Sequence, residues 1–252
     1  MINILLNGCN GRMGQAIARI VKEKGNAQIV CGVDFNTTAN NDFPVYARLS
    51  QFEGSADVVI DFTNPSSLDG LVQFALDTKT PLVIATTGLS IDQIDKLKSA
   101  SQTVPVFYSA NMSLGINLLI DLVQKAAKVL EGSFDIEIIE KHHNQKLDAP
   151  SGTALAIADS ISDVLAAPCE YVYDRHSSRK KRSKNEIGIL AMRGGTIVGD
   201  HSVIFAGLDE VIEINHSAQS REVFAVGAVK AAEFLANQKH GMYNMKDLVN
   251  SL

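Results

Sequence analysis

Two histidines and a lysine, His142, His143 and Lys146, fall within five residues of one another in the segment Glu140-Lys-His-His-Asn-Gln-Lys-Leu-Asp-Ala-Pro-Ser-Gly-Thr-Ala154. Imidazole exchanges protons near neutral pH, and a lysine ammonium adds a positive charge beside it. Ser151, Gly152 and Thr153 follow Pro150, a residue that commonly opens helices, so their backbone N–H groups are expected to point free from a helix start. Together these groups describe a cradle for an anionic carbonyl or carboxylate compound. A metal site is not expected, because adjacent histidines at a strand end face opposite ways and no cysteine or carboxylate pair completes a ligand set. His201 and His216 stand apart in the chain and read as packing or hydrogen-bonding residues.

A second pattern opens the chain: Gly8-Cys9-Asn10-Gly11-Arg12-Met13-Gly14, directly after an apolar run and before a helical stretch. Glycine is required where backbone approaches a pyrophosphate, and the helix start supplies N–H donors and the positive end of a dipole. Asp34, twenty residues beyond Gly14, stands where an acid would accept hydrogen bonds from an adenosine ribose. Such a carboxylate repels a 2′-phosphate, and the following residue is Phe35 rather than a cation, although Arg12 lies in the turn. NADH is the expected cofactor, with NADPH still usable. Ala85-Thr86-Thr87-Gly88 and Ser109-Ala110-Asn111-Met112-Ser113 fall at expected strand ends and suit a nicotinamide and ribose shelf, as do Phe62 and Thr63; ordinary turn chemistry accounts for the same residues.

The elements that must hold these groups are legible from periodicity. Ile2–Leu6, Ile29–Val33, Val58–Phe62, Leu82–Ala85 and Val104–Tyr108 read as buried strands. Between them lie helical stretches at Met13–Lys24, Ser66–Asp77 and Ser90–Ala100, the last two with capping-box signatures at Ser66 and Ser90. That alternation predicts an α/β fold with a Rossmann-type, doubly wound parallel sheet at the N-terminus. Gly115–Leu130 carries a helix-period stripe, and Phe134–Glu140, Ser202–Phe205 and Asp209–Asn215 read as strands of a second, smaller α/β domain on a mixed sheet. A last helix, about Glu222–Ala236, is free to return to the first domain. The division expected is residues 1–112 plus 221–252 for the dinucleotide and 113–220 for substrate and oligomerisation.

The chain has 252 residues, 46% of them hydrophobic, and a formal net charge of -5, with a pI of about 5.7. No global basic field exists to draw it onto nucleic acid or an anionic membrane, and no apolar run approaches the ~20 residues that span a bilayer. Cys9, Cys31 and Cys169 are too scattered for a disulfide framework, and the first residues lack a signal-peptide pattern. A cytoplasmic enzyme acting on a small molecule is the expectation. The polar stretch 175–185, with Arg179-Lys-Lys-Arg182, reads as a solvated mobile loop, or alternatively as an electrostatic lure for a dianionic substrate.

End to end, these motifs resemble the 4-hydroxy-tetrahydrodipicolinate reductase family, also called dihydrodipicolinate reductase. The resemblance rests on Gly8–Gly14, Asp61-Phe-Thr63, Ala85–Gly88, Ser109–Ser113, the Glu140–Ala154 segment, Arg193-Gly-Gly-x-x-x-Gly-x-His201 and Asn215-His-x-Ala-x-Ser-Arg221. It implies a reductase of the diaminopimelate route to lysine, with His142 as general acid or base and Lys146 as a second proton donor. It further implies that His143, Lys146, Gly152 and Thr153 hold the two carboxylates of a dicarboxylate substrate. The cofactor would lie on Gly8 through Met13, Asp34, Ala85 through Thr87 and Ser109 through Met112, in a homotetramer built through the second domain's sheet. Met112 replaces a phenylalanine common in the family, Asn64 a frequent basic residue, and Phe35 an arginine that some members use for NADPH. Dehydrogenases acting on aspartate semialdehyde or homoserine would share the nucleotide half, but the His-His-x-x-Lys segment argues against them. A non-catalytic nucleotide-binding regulator would need no proton donor.

Overall fold

The computed structural model describes residues 1–38, 41–177 and 179–252. In chain order the elements are β1 (Ile2–Asn7), α1 (Arg12–Lys24), β2 (Ala27–Val33), β3 (Val45–Tyr46), β4 (Val58–Asp61), α2 (Leu68–Thr78), β5 (Leu82–Ile84), α3 (Ile91–Ala100) and β6 (Pro105–Tyr108). There follow α4 (Leu114–Leu130), β7 (Asp135–His142), α5 (Gly152–Ser162), β8 (Glu170–Val172), β9 (Glu186–Arg193), β10 (Gly199–Ala206), β11 (Val211–Ala218), α6 (Glu222–Leu235), β12 (Gly241–Tyr243) and α7 (Met245–Ser251). The chain forms two compact units, Met1–Leu114 with Glu222–Leu252, and Gly115–Arg221.

In the first unit, among the described residues, seven strands pair in parallel in the order β12-β6-β5-β4-β1-β2-β3. Strand alternation sorts the core into two layers. Ile4, Leu6, Val58, Ile60 and Val83 pack with α1, α6 and α7 on one face. Leu5, Val59, Leu82 and Ile84 pack with α2 and α3 on the other. Burial of each such side chain contributes roughly 1.5–3 kcal/mol. The strand order reverses between β1 and β4, and in open parallel sheets ligands bind at the carboxyl ends of the strands flanking that point.

The second unit is the mixed sheet that the period-two runs predict, with order β11-β10-β7-β9-β8. β7 pairs antiparallel with β10 and parallel with β9. One face is covered by α4 and α5, where Leu119, Val123, Ala154, Ile157 and Ile161 meet Ile136, Ile138, Ile189, Val203 and Phe205.

Three expectations need correction. The capping box at Ser66 does not form: Asn64 Oδ1 accepts from Ser66 N at 3.0 Å, a short 3-10 turn spans Pro65–Ser67, and the α-helix begins only at Leu68. The asparagine side chain caps the turn around Pro65 in its place. The box at Ser90 does form, with Gln93 reciprocating. Strands β3, β8, β9 and β12 were not legible. In β9 a glycine, Gly188, weakens the strand signal, and the Glu137 carboxylate lies over it, 1.8 Å from where a Cβ would stand. Finally, the basic stretch is not simply a solvated loop. Arg175 pairs with Glu137 at 2.5 Å and with buried Glu186, and Arg182 reaches Asp135 at 2.9 Å and Glu137 at 3.1 Å. These pairs hold Glu186 well below the usual carboxylate range, at about 2, with the Arg175 hydrogen bond the chief cause. Arg179, Lys180 and Lys181 are exposed, and Ser178 within the stretch lies outside the described residues.

Candidate active site

The glycine turn joins β1 to α1. Gly8 adopts φ 83° and its N–H donates to Val33 O at 2.8 Å, which draws the turn against the end of β2. A Cβ on Gly8 would lie 2.8 Å from Phe62 O, and one on Gly14 only 2.2 Å from Gly8 O. Neither position accepts a side chain, which is the requirement for bringing backbone close to a phosphate. No side chain caps Gly11 at the start of α1. Asp34 lies at the end of β2, its Oδ2 accepting from Asn10 N at 2.9 Å and Oδ1 from Asn36 N at 3.0 Å. A cavity of about 380 Å³ brings together Gly8, Gly11, Asp34, Phe35, Arg48 and Asn64.

The other expected cofactor contacts differ in exposure and in hydrogen-bond partners. Cys9 is fully buried, its thiol pushed up to about 11 by burial and by the nearby Asp34 charge, so only its backbone belongs to the turn surface. Arg12 is exposed, and half-buried Met13 packs on the core. Thr86 is buried and donates to Asp61 Oδ2 at 2.6 Å, whereas Thr87 is exposed and Ala85 joins the core. Ser109 Oγ donates to Asn111 O at 2.8 Å, Ala110 is exposed, and Asn111 Oδ1 accepts from Ser113 N at 2.9 Å. Met112 is buried against α6, where a Cβ on Gly227 would stand 1.7 Å from Met112 O.

Two residues of this unit carried no role in the sequence reading. Asp61, 1% exposed, accepts from Asn7 Nδ2 at 2.8 Å, Thr63 Oγ1 at 2.7 Å and Thr86 Oγ1, tying the carboxyl ends of β1, β4 and β5 together at the strand-order reversal. Burial pushes its carboxyl up despite those three donors. Arg48, which follows β3, lines the same cavity as Asp34, and its place there is not readable from the sequence because it depends on β3 pairing with β2.

In the second unit, β7 places Ile136, Ile138, Glu140 and His142 on its buried face, while His143 beyond the strand end is half-buried. His142 Nδ1 lies 2.7 Å from Glu140 Oε2. Arg193, at the end of β9, grips both oxygens of Glu140 at 2.7 Å each, and Ser151 N donates to Oε1 at 3.0 Å. Burial alone would push the Glu140 carboxyl up, but the hydrogen bonds from Arg193, His142 and Ser151 outweigh it and hold the group below its ordinary value. His201, on β10, packs edge-on against His142 with ring centroids 5.3 Å apart, and Ser151 Oγ lies 3.2 Å from its Nε2. Burial, and next the proximity of His142, push His201 down to about 4. The expectation that His201 packs and hydrogen-bonds is met. His216 pairs opposite it in the ladder, and burial lowers its pKa as well.

Ser151 caps α5, accepting from Ala154 N at 3.2 Å, and its own N–H is spent on Glu140, so it is not the free donor expected. Lys146 Nζ lies 2.8 Å from Asp148 Oδ1, and the Gly152 N–H also bonds the Asp148 carboxylate. The lysine and the helix start thus meet on one carboxylate of the chain itself. Glu140, Arg193 and Asp148 were missed as participants, although alternation along β7 already places Glu140 on the same face as His142. Among the described residues, no group of three or more His, Cys, Asp or Glu side chains is arranged to hold a metal ion. Among the described residues, no helix is long and apolar enough to cross a membrane.

A glycine turn at the reversal point of a parallel sheet, an acid closing β2, and an imidazole held by a buried carboxylate in the second unit are features of a nicotinamide-dependent oxidoreductase. The turn, with Gly8 and Gly14 at positions that no Cβ could occupy, and the cavity beside Asp34 fit the dinucleotide. Family profiles described as "Dihydrodipicolinate reductase, N-terminus" and "Dihydrodipicolinate reductase, C-terminus" match residues 2–112 and 115–249, and the chain belongs to the dihydrodipicolinate reductase family. It is 58% identical over 249 residues to 4-hydroxy-tetrahydrodipicolinate reductase of Caldanaerobacter subterraneus subsp. tengcongensis, covering 99% of this chain and 98% of that one. It is 51% identical over 251 residues to the protein of the same name from Clostridium tetani, covering 100% and 98%. Among solved structures, dipicolinate-bound dihydrodipicolinate reductase from Paenisporosarcina sp. TG-14 superimposes with a TM-score of 0.83 at 26% identity, covering 98% of this chain and 99% of that one.

Proposed function

We propose that the chain reduces 4-hydroxy-tetrahydrodipicolinate to tetrahydrodipicolinate, a step in diaminopimelate and lysine biosynthesis, with His142 as the proton donor. The observation that carries this reading is the 2.7 Å approach of His142 Nδ1 to Glu140 at the end of β7, four residues before Lys146, in a chain that matches this reductase family along its length. A reduced nicotinamide, when bound, supplies the hydride that reduces the C4 position of the dehydrated ring. His142 holds a proton at Nε2 for the neighbouring C3 position, and Lys146 is the second donor. His143, Lys146, Gly152 and Thr153 hold the two carboxylates. Preorganised amides and an ammonium group stabilise the charge that develops on the ring without reorganising. The substrate carboxylate displaces Asp148 from Lys146 and from the Gly152 N–H.

On the cofactor side, Gly8 through Met13 carry the pyrophosphate, and Ala85 through Thr87 with Ser109 through Met112 form the shelf for the nicotinamide ribose. Asp34 accepts the adenosine ribose hydroxyls and disfavours a 2′-phosphate, so NADH is preferred; Arg48 on the same cavity supplies a cation that keeps NADPH usable. The second unit binds substrate and, through its sheet, forms a homotetramer in the cytoplasm. Exposed Leu190 and Met192 on β9 and Ile212 on β11 support an assembly surface there. The deciding experiment follows NADH absorbance with freshly generated condensation product of pyruvate and aspartate semialdehyde, beside NADPH and other keto acids. Turnover with a different keto acid, and none with this product, overturns the assignment.

A further inference from the structure

We propose that Glu140, clamped by Arg193, is a positioning residue for His142: it holds the proton on Nδ1, so that Nε2 is the one nitrogen that exchanges a proton with the substrate. The inference rests on the reading of His142 as proton donor. An ionised carboxylate only accepts hydrogen bonds. Glu140 is ionised by construction, since both oxygens face the Arg193 guanidinium at 2.7 Å and Oε1 also faces Ser151 N at 3.0 Å. At 2.7 Å from Oε2, His142 Nδ1 must therefore carry hydrogen, whether the ring is neutral or charged. In the neutral ring Nε2 is then a bare lone pair; in the imidazolium it bears the proton that can leave. When that Nε2–H bond breaks and the new bond to carbon forms, the ring returns to the neutral Nδ1–H form with its bond to Glu140 intact.

The surroundings of the ring support the same arrangement. Glu140 is 0% exposed, so its carboxylate is bound by protein donors rather than by bulk water. Among the described residues, His142 meets Glu140 on β7 and His201 on β10, and Arg193 on β9 meets Glu140 in turn. His201 stays neutral near neutral pH, so the Glu140 charge acts on His142 without a competing imidazolium. Arg193 is itself fixed by Met192 O at 2.8 Å and Asp148 O at 2.6 Å, so it forms a rigid base for the carboxylate. The relationship has the logic of a carboxylate that orients a catalytic imidazole in its productive tautomer, where the wrong tautomer is costly although the ring is still present.

The test reads the tautomer directly. In chain labelled with ¹⁵N-histidine, with the His142 resonances assigned by their loss in His142→Gln, neutral His142 is expected to show a protonated Nδ1 and an unprotonated Nε2. Glu140→Gln can turn an amide N–H toward Nδ1, so the expected result is loss of that tautomer. Its kcat should fall by about 100-fold or more, the scale of losing a general acid, with NADH affinity within about twofold and a displaced kcat–pH profile. Arg193→Lys keeps the positive charge and loses the fork; it should retain the tautomer partly and turn over between Glu140→Gln and wild type. Should Glu140→Gln fail to fold, Arg193→Lys carries the same readout. An unchanged His142 tautomer and pH profile in the folded variants, whatever their kcat, overturns the positioning role. Near-normal turnover of His142→Gln would instead overturn the underlying assignment of His142.

Discussion

Gly199 faces the Nε2 edge of His142 so closely that a β-carbon at position 199 would lie 2.9 Å from that nitrogen. The space in front of the candidate proton donor therefore depends on the first residue of β10 having no side chain. Gly199→Ala is expected to push the imidazole off its Glu140 partner by a few tenths of an ångström. A kcat lower by about tenfold or more, with unchanged NADH binding, is the expected result, because small misplacements near the reacting atoms are expensive. Steady-state kinetics beside a fluorescence titration with NADH separate the two quantities.

His142→Gln and Lys146→Ala should each lower kcat by about 10²- to 10⁴-fold while leaving NADH binding intact, since the residues lie in a different unit from the glycine turn. Near-normal turnover in both would remove them from the proton-transfer roles.

Asp148 engages Lys146 and the Gly152 N–H, the groups we assign to a substrate carboxylate. Asp148→Ala should therefore tighten pyridine-2,6-dicarboxylate binding. The Asp148 side chain is 57% exposed, so the gain is limited to roughly 1 kcal/mol, or at most about fivefold in Kd. Calorimetric titration measures it, and weaker binding would mean that Asp148 orients Lys146 rather than competing for it.

At the cofactor cavity, kcat/KM should be higher with NADH than with NADPH. Arg48→Ala should raise KM for NADPH by up to about fivefold, the scale of an exposed charge contact, and move KM for NADH less than twofold. Equal effects on both cofactors would separate Arg48 from the 2′-phosphate.

The pH dependence of stability carries a signature of His201. Its pKa falls from an ordinary 6.5 to about 4 in the folded chain, chiefly through burial. Between those values the unfolded chain binds the extra proton, so stability is complete above pH 6.5 and is lost as pH falls toward 4, by on the order of 3 kcal/mol. Urea unfolding between pH 7 and 4.5 should show this slope in the wild type and a flatter one in His201→Asn. The stability that Glu140 contributes is lost at lower pH, because its folded pKa lies below the ordinary 4.5.

The amino-acid order by itself determined what depends on local period and local chemistry. The alternation that sorts Ile4 and Leu6 from Leu5 is written in neighbouring residues, and so are the glycine turn before α1, the Ser90 capping box and the gathering of His142, His143 and Lys146. Tertiary structure alone decided which distant groups these meet. Arg193 reaches Glu140 because β9 lies parallel to β7, and His201 reaches His142 because β10 runs antiparallel on β7's other side. Arg48 reaches the Asp34 cavity through the pairing of β3 with β2. Sheet partners are chosen by burial summed over whole strands, so no residue or short motif encodes them, and the carboxylate that orients the imidazole becomes visible only after the strands have paired.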